Sequence, residues 1–275
     1  MTTLHVEESG TPGSDAIVFL HADGVSGRMW ADHMASLPEY HCLAPDLPGF
    51  GRSNQLSWQS LPQTAALVAD LIRERIPSQR THLVGESLGG GIAHVLLAQT
   101  PDLLETVIID GAGVLPYRWG SLVELGVDLF APFLHTTPVV EAVARAFALD
   151  EQDKRDLLLA SPESFRRALN DANHSELTEA EIEAPCPTLL LAAERDFPMV
   201  RPSNAALAAL MPDAEARYVP QLGHGWMNRI PDLHRRTVAA WITGSELPRE
   251  LEPETTPWPS ATVNRLLGQG PRARM

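Results

Sequence analysis

The stretch "THLVGESLGGG", Thr81 to Gly91, decides how this chain reads. A short apolar run from His82 to Val84 enters Gly85-Glu86-Ser87-Leu88-Gly89, and a helical pattern from Gly90 to Gln99 follows. Strand, G-x-S-x-G and helix in that order are the context a nucleophile elbow requires. A serine on so tight a turn projects its hydroxyl above the sheet. A side chain at either flanking glycine would collide with the neighbouring strand or helix. The helix that follows aims free amides and its positive dipole end at the reacting centre. Ser87 is the candidate nucleophile.

Outward from this elbow, buried-strand runs alternate with helical patterns. The strand candidates are Ala16 to Leu20, His41 to Ala44, His82 to Val84, Val107 to Ile109, Thr188 to Ala192 and Ala216 to Val219. Helical periodicity covers Gln63 to Ile76, Gly90 to Gln99, Asn204 to Leu210 and Leu233 to Ile242. The alternation predicts an α/β chain with a doubly wound, mostly parallel sheet, whose ligands bind at the carboxyl ends of the strands. From 114 to 183 the alternation breaks into helix and loop signals only, which predicts a helical cap over that edge. The expected organisation is a core of 1–113 and 184–244, a cap of 114–183 and a Pro- and charge-rich tail of 245–275. The tail is expected to be disordered or to pack as an extended arm, with Trp258 as a docking point.

Composition excludes several function classes. The 275 residues hold 35 Asp plus Glu against 21 Lys plus Arg, a formal charge of -14. Such a surface repels nucleic-acid backbones and anionic lipid, so the expected partner is a small molecule and neither nucleic acid nor a membrane. Oligomeric state is not legible. The N-terminal "MTTLHVEESG" lacks a basic stretch followed by an apolar run, and no apolar segment reaches membrane-spanning length. A cytoplasmic protein is expected. Cys42 and Cys186 sit in apolar contexts that predict buried, reduced thiols. No clustered His, Cys and carboxylate set suggests a metal, and "GFGRSN" is no dinucleotide fingerprint, so no cofactor is expected.

With the elbow, the stretches "FLHADGVSGRMW", "LAPDLPGFGRS", "TVIIDGAG", "PTLLLAAERD" and "PQLGHGWMNRIPDL" resemble, in family order over about residues 5 to 243, the α/β-hydrolase fold superfamily in its helical-cap branch. The resemblance implies a serine hydrolase. A serine hydroxyl needs a neighbouring base. His224 follows a late strand between Gly223 and Gly225, and the chain order Ser, acid, His matches this fold. Asp196, after a strand in "LLLAAERDFP", is the first choice of acid, and Asp110 in "VIIDGAG" is the alternative that some members of the superfamily use. Glu194 is close in sequence but is expected to have the wrong strand phase if Asp196 points at the site. Glu86 is a carboxylate behind the elbow that must find donors or take up a proton. Hydroxynitrile lyases of the superfamily also show Glu there, but with a lysine near the histidine that "GHGWMNR" lacks.

The resemblance places the oxyanion hole at two backbone amides, that of Leu88 and that of Asp23 in the loop "HADG". Family members usually read His-Gly at this loop. Here Ala22 replaces the glycine, at a cost of about 1 kcal/mol or more if the position needs positive φ. A carboxylate at Asp23 cannot usefully face an oxyanion. The expectation is that it turns away and caps the helix starting near Ser26, with Gly24 absorbing the bend. His21, Ala22, Trp119, Phe130, Phe133, Phe197 and Trp226 are candidate pocket residues. The expected reaction is cleavage of a carboxylic ester, lactone or related acyl compound through an acyl-enzyme. A cofactor-free carbon–carbon hydrolase, lyase or perhydrolase, or a ligand receptor or template protein, would use the same residues.

Overall fold

The computed structural model describes residues 4–77, 80–115, 125–126, 128–129, 131–174 and 177–259. These residues form an eight-stranded sheet in the order β1-β3-β2-β4-β5-β6-β7-β8. The strands are β1 (Val6–Ser9), β2 (Ala16–Leu20), β3 (His41–Pro45), β4 (Thr81–Glu86), β5 (Leu104–Asp110), β6 (Thr188–Arg195), β7 (Ala214–Gly223) and β8 (Glu252–Pro253). Strands β2 to β7 pair in parallel, while β1 and β8 close the two edges antiparallel. All residues of β2, β3 and β4 are buried, because helices cover both faces of a parallel sheet.

The period-two alternation divides each strand between two cores. Val18, Leu20, Leu43 and Leu83 face one side, where α2 (Leu61–Arg75), α3 (Leu88–Gln99) and α8 (Val200–Leu210) pack. Ile17, Phe19, Cys42 and Val84 face the other, against residues around α1 (Ala31–Ala35) and along α9 (Pro231–Ile242). Both thiols are free and buried, and burial pushes Cys42 up to about 11 and Cys186 up to about 12.

Between β5 and β6 the described residues carry α4 (Thr137–Phe147), α5 (Glu151–Leu159), α6 (Pro162–Asn173) and α7 (Glu179–Ile182), with no strand among them. Local chemistry sets their starts: Asp150 and Asp153 form a reciprocal capping box at α5, and Ser161 caps α6 with Pro162 in its first turn. Val140, Leu157, Phe165 and Ala168 join the same apolar cluster as the α2–α3 face of the sheet. The Trp58 indole donates to Asp171 at 2.8 Å, and the Ser161 amide donates to the Gly49 carbonyl at 2.8 Å. The loop after β3 is thereby tied to this helical layer.

The arm 245–259 packs in extended form. Leu251 is buried, β8 pairs with β7, Trp258 rests against the core, and Arg201 grips Glu254 through two bonds of 2.8 Å. Neither edge strand showed in the apolar pattern, since "VEES" and "EP" carry no alternating hydrophobic face. No helix among the described residues is long and apolar enough to cross a membrane.

Candidate active site

Ser87 occupies the turn between β4 and α3 at φ 52°, ψ −109°, a conformation that costs a non-glycine residue roughly 1–3 kcal/mol. The surroundings enforce it. The Ser87 amide donates to the Asp110 carbonyl at 2.8 Å, and the Gly91 amide to the Ser87 carbonyl at 3.0 Å. A Cβ on Gly85 would stand 2.4 Å from the Gly89 carbonyl oxygen, and one on Gly89 2.2 Å from that of Leu20. Both glycines are therefore steric requirements of the elbow.

Three elements converge on this serine. His224, just after β7, brings Nε2 to 3.0 Å from Ser87 Oγ, while its Nδ1 donates to Asp196 Oδ1 at 2.8 Å. Asp196 follows β6, and its carboxylate also accepts from the Ala193 and Phe197 amides at 3.0 and 2.8 Å, which fixes its orientation. Burial works against a charge on His224. The Asp196 hydrogen bond and charge, together with Glu86 and Asp110, outweigh it and hold the imidazole up at about 9. Gly111, at φ 68°, makes room for the ring: a Cβ there would lie 2.7 Å from His224 Cε1.

With this geometry stands a match to the profile described as the alpha/beta hydrolase family, over residues 17–241. The chain belongs to the alpha/beta hydrolase family. It is 26% identical over 259 residues to an AB hydrolase superfamily protein of Gibberella zeae, covering 89% of this chain and 86% of that one. It is 23% identical over 255 residues to a 2-hydroxy-6-oxo-6-phenylhexa-2,4-dienoate hydrolase of Burkholderia cepacia, covering 80% and 84%. Among solved structures, the enol-lactonase of Burkholderia xenovorans LB400 superposes with a TM-score of 0.75 at 20% identity, covering 87% of this chain and 96% of that one.

In this alpha/beta hydrolase the other candidate acid is occupied elsewhere. Asp110 Oδ1 accepts from the Trp226 indole at 3.0 Å, and Oδ2 lies 3.6 Å from His234 Nε2. Burial pushes Asp110 up to about 7. Glu194 is exposed and accepts from the Gln221 amide at 2.6 Å.

A cavity of about 310 Å³ lies between Ser87 and the helical layer. Its walls are mainly apolar, with Val143 and Phe147 from α4, Leu157 from α5 and Phe165 from α6. Ala22 and Phe197 line it, the Phe197 ring centroid standing 4.4 Å from that of His224. Three other candidates do not. His21 is fully buried: its Nδ1 donates to the Ala22 carbonyl at 2.6 Å and its Nε2 accepts from the Leu47 amide at 2.9 Å. Both ring nitrogens are thus spent tying two loops together. Trp226 is buried behind the site on Asp110, and Phe133 points outward, 57% exposed. Trp119 and Phe130 lie outside the described residues.

The Asp23 expectation is overturned. Ser26, not Asp23, occupies the cap of the 3-10 turn Gly27–Trp30, accepting from the Arg28 amide at 3.4 Å. A capping oxygen must sit on the residue just before the first turn, and Asp23 is three positions too early. Gly24 does absorb the bend, at φ 79°, but the chain then leaves Asp23 against the cavity, where burial raises its carboxyl and His224 opposes the rise. Ala22 carries no positive φ, since the non-glycine residues that do are Ser87, Ala148 and Gln221.

Two cavity carboxyls carry more weight than their sequence context suggested. Glu86 is 4% exposed, its Oε1 lies 4.0 Å from His224 Nε2, and its buried Oε2 has no hydrogen-bond partner among the described residues. Burial, reinforced by Asp110, Asp23 and Asp196 against the counteracting His224, pushes it up to about 8. Asp153 reaches the cavity from the first turn of α5, and burial beside Asp150 raises it to about 6. Nothing in the local sequence of α5 marks Asp153 as more than a capping residue.

Proposed function

We propose that the protein is a serine hydrolase that cleaves a carboxylic ester, lactone or related small acyl substrate through an acyl-enzyme. The observation that carries this reading is the continuous chain from Ser87 Oγ through His224, 3.0 Å away, to Asp196, 2.8 Å further on. Ser87 Oγ attacks the carbonyl carbon as its proton passes to His224 Nε2. Asp196 holds the Nδ1–H tautomer and balances the imidazolium that forms. The tetrahedral oxyanion takes hydrogen bonds from the backbone amides of Leu88, the first residue of α3, and of Asp23. His224 then returns the proton to the leaving alcohol, and a water attacks the acyl-enzyme by the same route in reverse. We read the helices of 114–183 as a cap whose apolar faces shape the acyl site.

Intact mass after treatment with a fluorophosphonate tests the reading. One phosphonyl adduct is expected on the wild type and none on Ser87→Ala. A wild-type chain that stays unlabelled overturns it. A second reading, hydrolysis of a carbon–carbon bond by the same residues, is favoured by likeness to the Burkholderia cepacia dienoate hydrolase. Turnover of a vinylogous 1,5-diketone with no turnover of esters would select it.

A further inference from the structure

Three carboxyl groups line the cavity, from Asp23, Glu86 and Asp153, and among the described residues no Lys or Arg does. Their engagement differs. Asp153 spends an oxygen on the Asp150 amide in the α5 capping box, at 3.2 Å. Glu86 has a buried oxygen with no hydrogen-bond partner among the described residues, and its other oxygen lies 4.0 Å from His224 Nε2. A buried oxygen left unpaired is costly, so a cavity ligand that supplies a donor to this carboxyl is favoured. Asp23 lines the same cavity from the loop after β2 and is electrostatically coupled to both Glu86 and His224.

A donor that satisfies Glu86 and offsets the crowding of acidic groups is a cation with several N–H bonds. Burial lifts Glu86 and Asp23 towards the neutral form, and an ammonium that enters this mainly apolar cavity favours their ionised form and pairs with it. The same groups disfavour an anion by like-charge repulsion. The formal charge of -14 over the whole chain adds an attraction for cations at longer range. Glu86 Oε1 lies 4.0 Å from His224 Nε2, which is itself 3.0 Å from Ser87 Oγ, so a group held by Glu86 lies close to the carbonyl under attack.

We propose that the cavity selects substrates whose acyl part carries a primary ammonium group, held by Glu86 and Asp23 beside the nucleophile. This rests on the serine-hydrolase reading and deepens it into a substrate class: esters or amides of small amino acids. It sets the protein apart from its Burkholderia cepacia relative, whose dienoate is an anion.

The test uses three p-nitrophenyl esters matched in length, of butanoate, 3-aminopropanoate and hydrogen succinate, each rate divided by its spontaneous hydrolysis. The aminopropanoyl ester is expected to exceed the butanoyl ester in kcat/KM by about tenfold or more, with the succinyl ester below both. In Glu86→Gln and in Asp23→Asn the aminopropanoyl-to-butanoyl ratio should collapse towards one, whatever the absolute rates. A wild-type ratio at or below one, or a ratio that neither substitution changes, overturns the proposal.

A second measurement does not need turnover. Thermal stabilisation of Ser87→Ala by hexylammonium, hexanol and hexanoate should favour hexylammonium and fall in Ser87→Ala/Glu86→Gln. An unlabelled wild type stabilised by hexylammonium alone would overturn the hydrolase and keep the cation site. A labelled wild type with no charge preference in either assay would overturn the cation site and keep the hydrolase.

Discussion

Glu86 Oε1 stands 4.0 Å from His224 Nε2, so the nitrogen that faces the nucleophile also faces a buried carboxyl. The two groups bias each other: Glu86 is among the causes that raise His224 to about 9, and His224 holds Glu86 down against the burial that lifts it to about 8. Glu86 has therefore largely ionised by the pH at which His224 gives up its proton, and its charge delays that loss.

The acid limb of kcat/KM for a neutral ester should consequently lie on the alkaline side of neutrality, where the unprotonated imidazole appears. Glu86→Gln removes the neighbouring charge, disfavours the imidazolium and moves that limb to lower pH. Each unit of displacement multiplies the rate below the limb by about ten. A pH–rate profile of both proteins checks this; a limb that stays in place would show that Glu86 does not act on the base.

Asp196 and Asp110 should separate cleanly under the same substitution. Asp196→Asn loses the acceptor that sets the His224 tautomer and should reduce kcat by about 10³–10⁴. Asp110→Asn keeps an oxygen for the Trp226 indole and leaves the His224 Nδ1 bond intact, so kcat should stay within about tenfold. Steady-state kinetics on an activated ester, with circular dichroism to confirm folding, distinguish the two.

Gly111→Ala should act on the base without touching it chemically. The new Cβ would meet the imidazole at 2.7 Å, and φ 68° strains any side chain there. Displacement of the ring by even a fraction of an ångström lengthens its 3.0 Å bond to Ser87. The expected outcome is a loss of about 10²-fold or more in kcat, with a melting temperature lowered by several degrees.

Stability should peak at mildly acidic pH. Burial raises Glu86 to about 8 and Asp110 to about 7, so the folded state binds these protons more tightly than the unfolded chain. Their stabilisation is full below the ordinary carboxylate range and is lost as pH rises through 7 to 8. The buried pair His33 and His234, joined at 2.8 Å, titrates in the opposite sense. Burial beside Arg235 lowers His33 to about 3, and burial with His33 and Arg235 takes His234 well below its ordinary value. Their contribution is full above about 6.5 and is lost as pH falls below it. Scanning fluorimetry from pH 4 to 9 should give a maximum between these limbs, and Glu86→Gln should raise the melting temperature more at pH 8 than at pH 5.

Much of the scaffold was legible because its signals are local. The parallel strands β2 to β6 showed as apolar runs, since burial on both faces leaves little polar alternation to hide them, whereas β7 is half-buried and carries Arg217 within its run. Ser87, with its glycines, was legible because a turn at φ 52° admits few residue types on either side. The edge strands β1 and β8 were not, because pairing on one side and partial exposure impose no apolar pattern. His21 and Trp226 were misplaced for a related reason. A residue at the end of a strand can face the cavity or the layer behind it, and only the hydrogen bonds to Leu47 and Asp110 choose.

The order of strand, elbow, acid and histidine is a property of the chain, and with it came the fold and the residues that meet at Ser87. Where the remaining carboxyls point is not. Asp23 followed helix-capping preference to the wrong answer, since capping is decided by which residue immediately precedes the first turn, and Ser26 holds that place. Glu86 and Asp153 come from β4 and α5, 67 residues apart in the chain, and share one cavity only because the helices after β5 fold back over the sheet edge. Electrostatics in a cavity depends on distances between remote segments and on the water they exclude, and those are tertiary quantities.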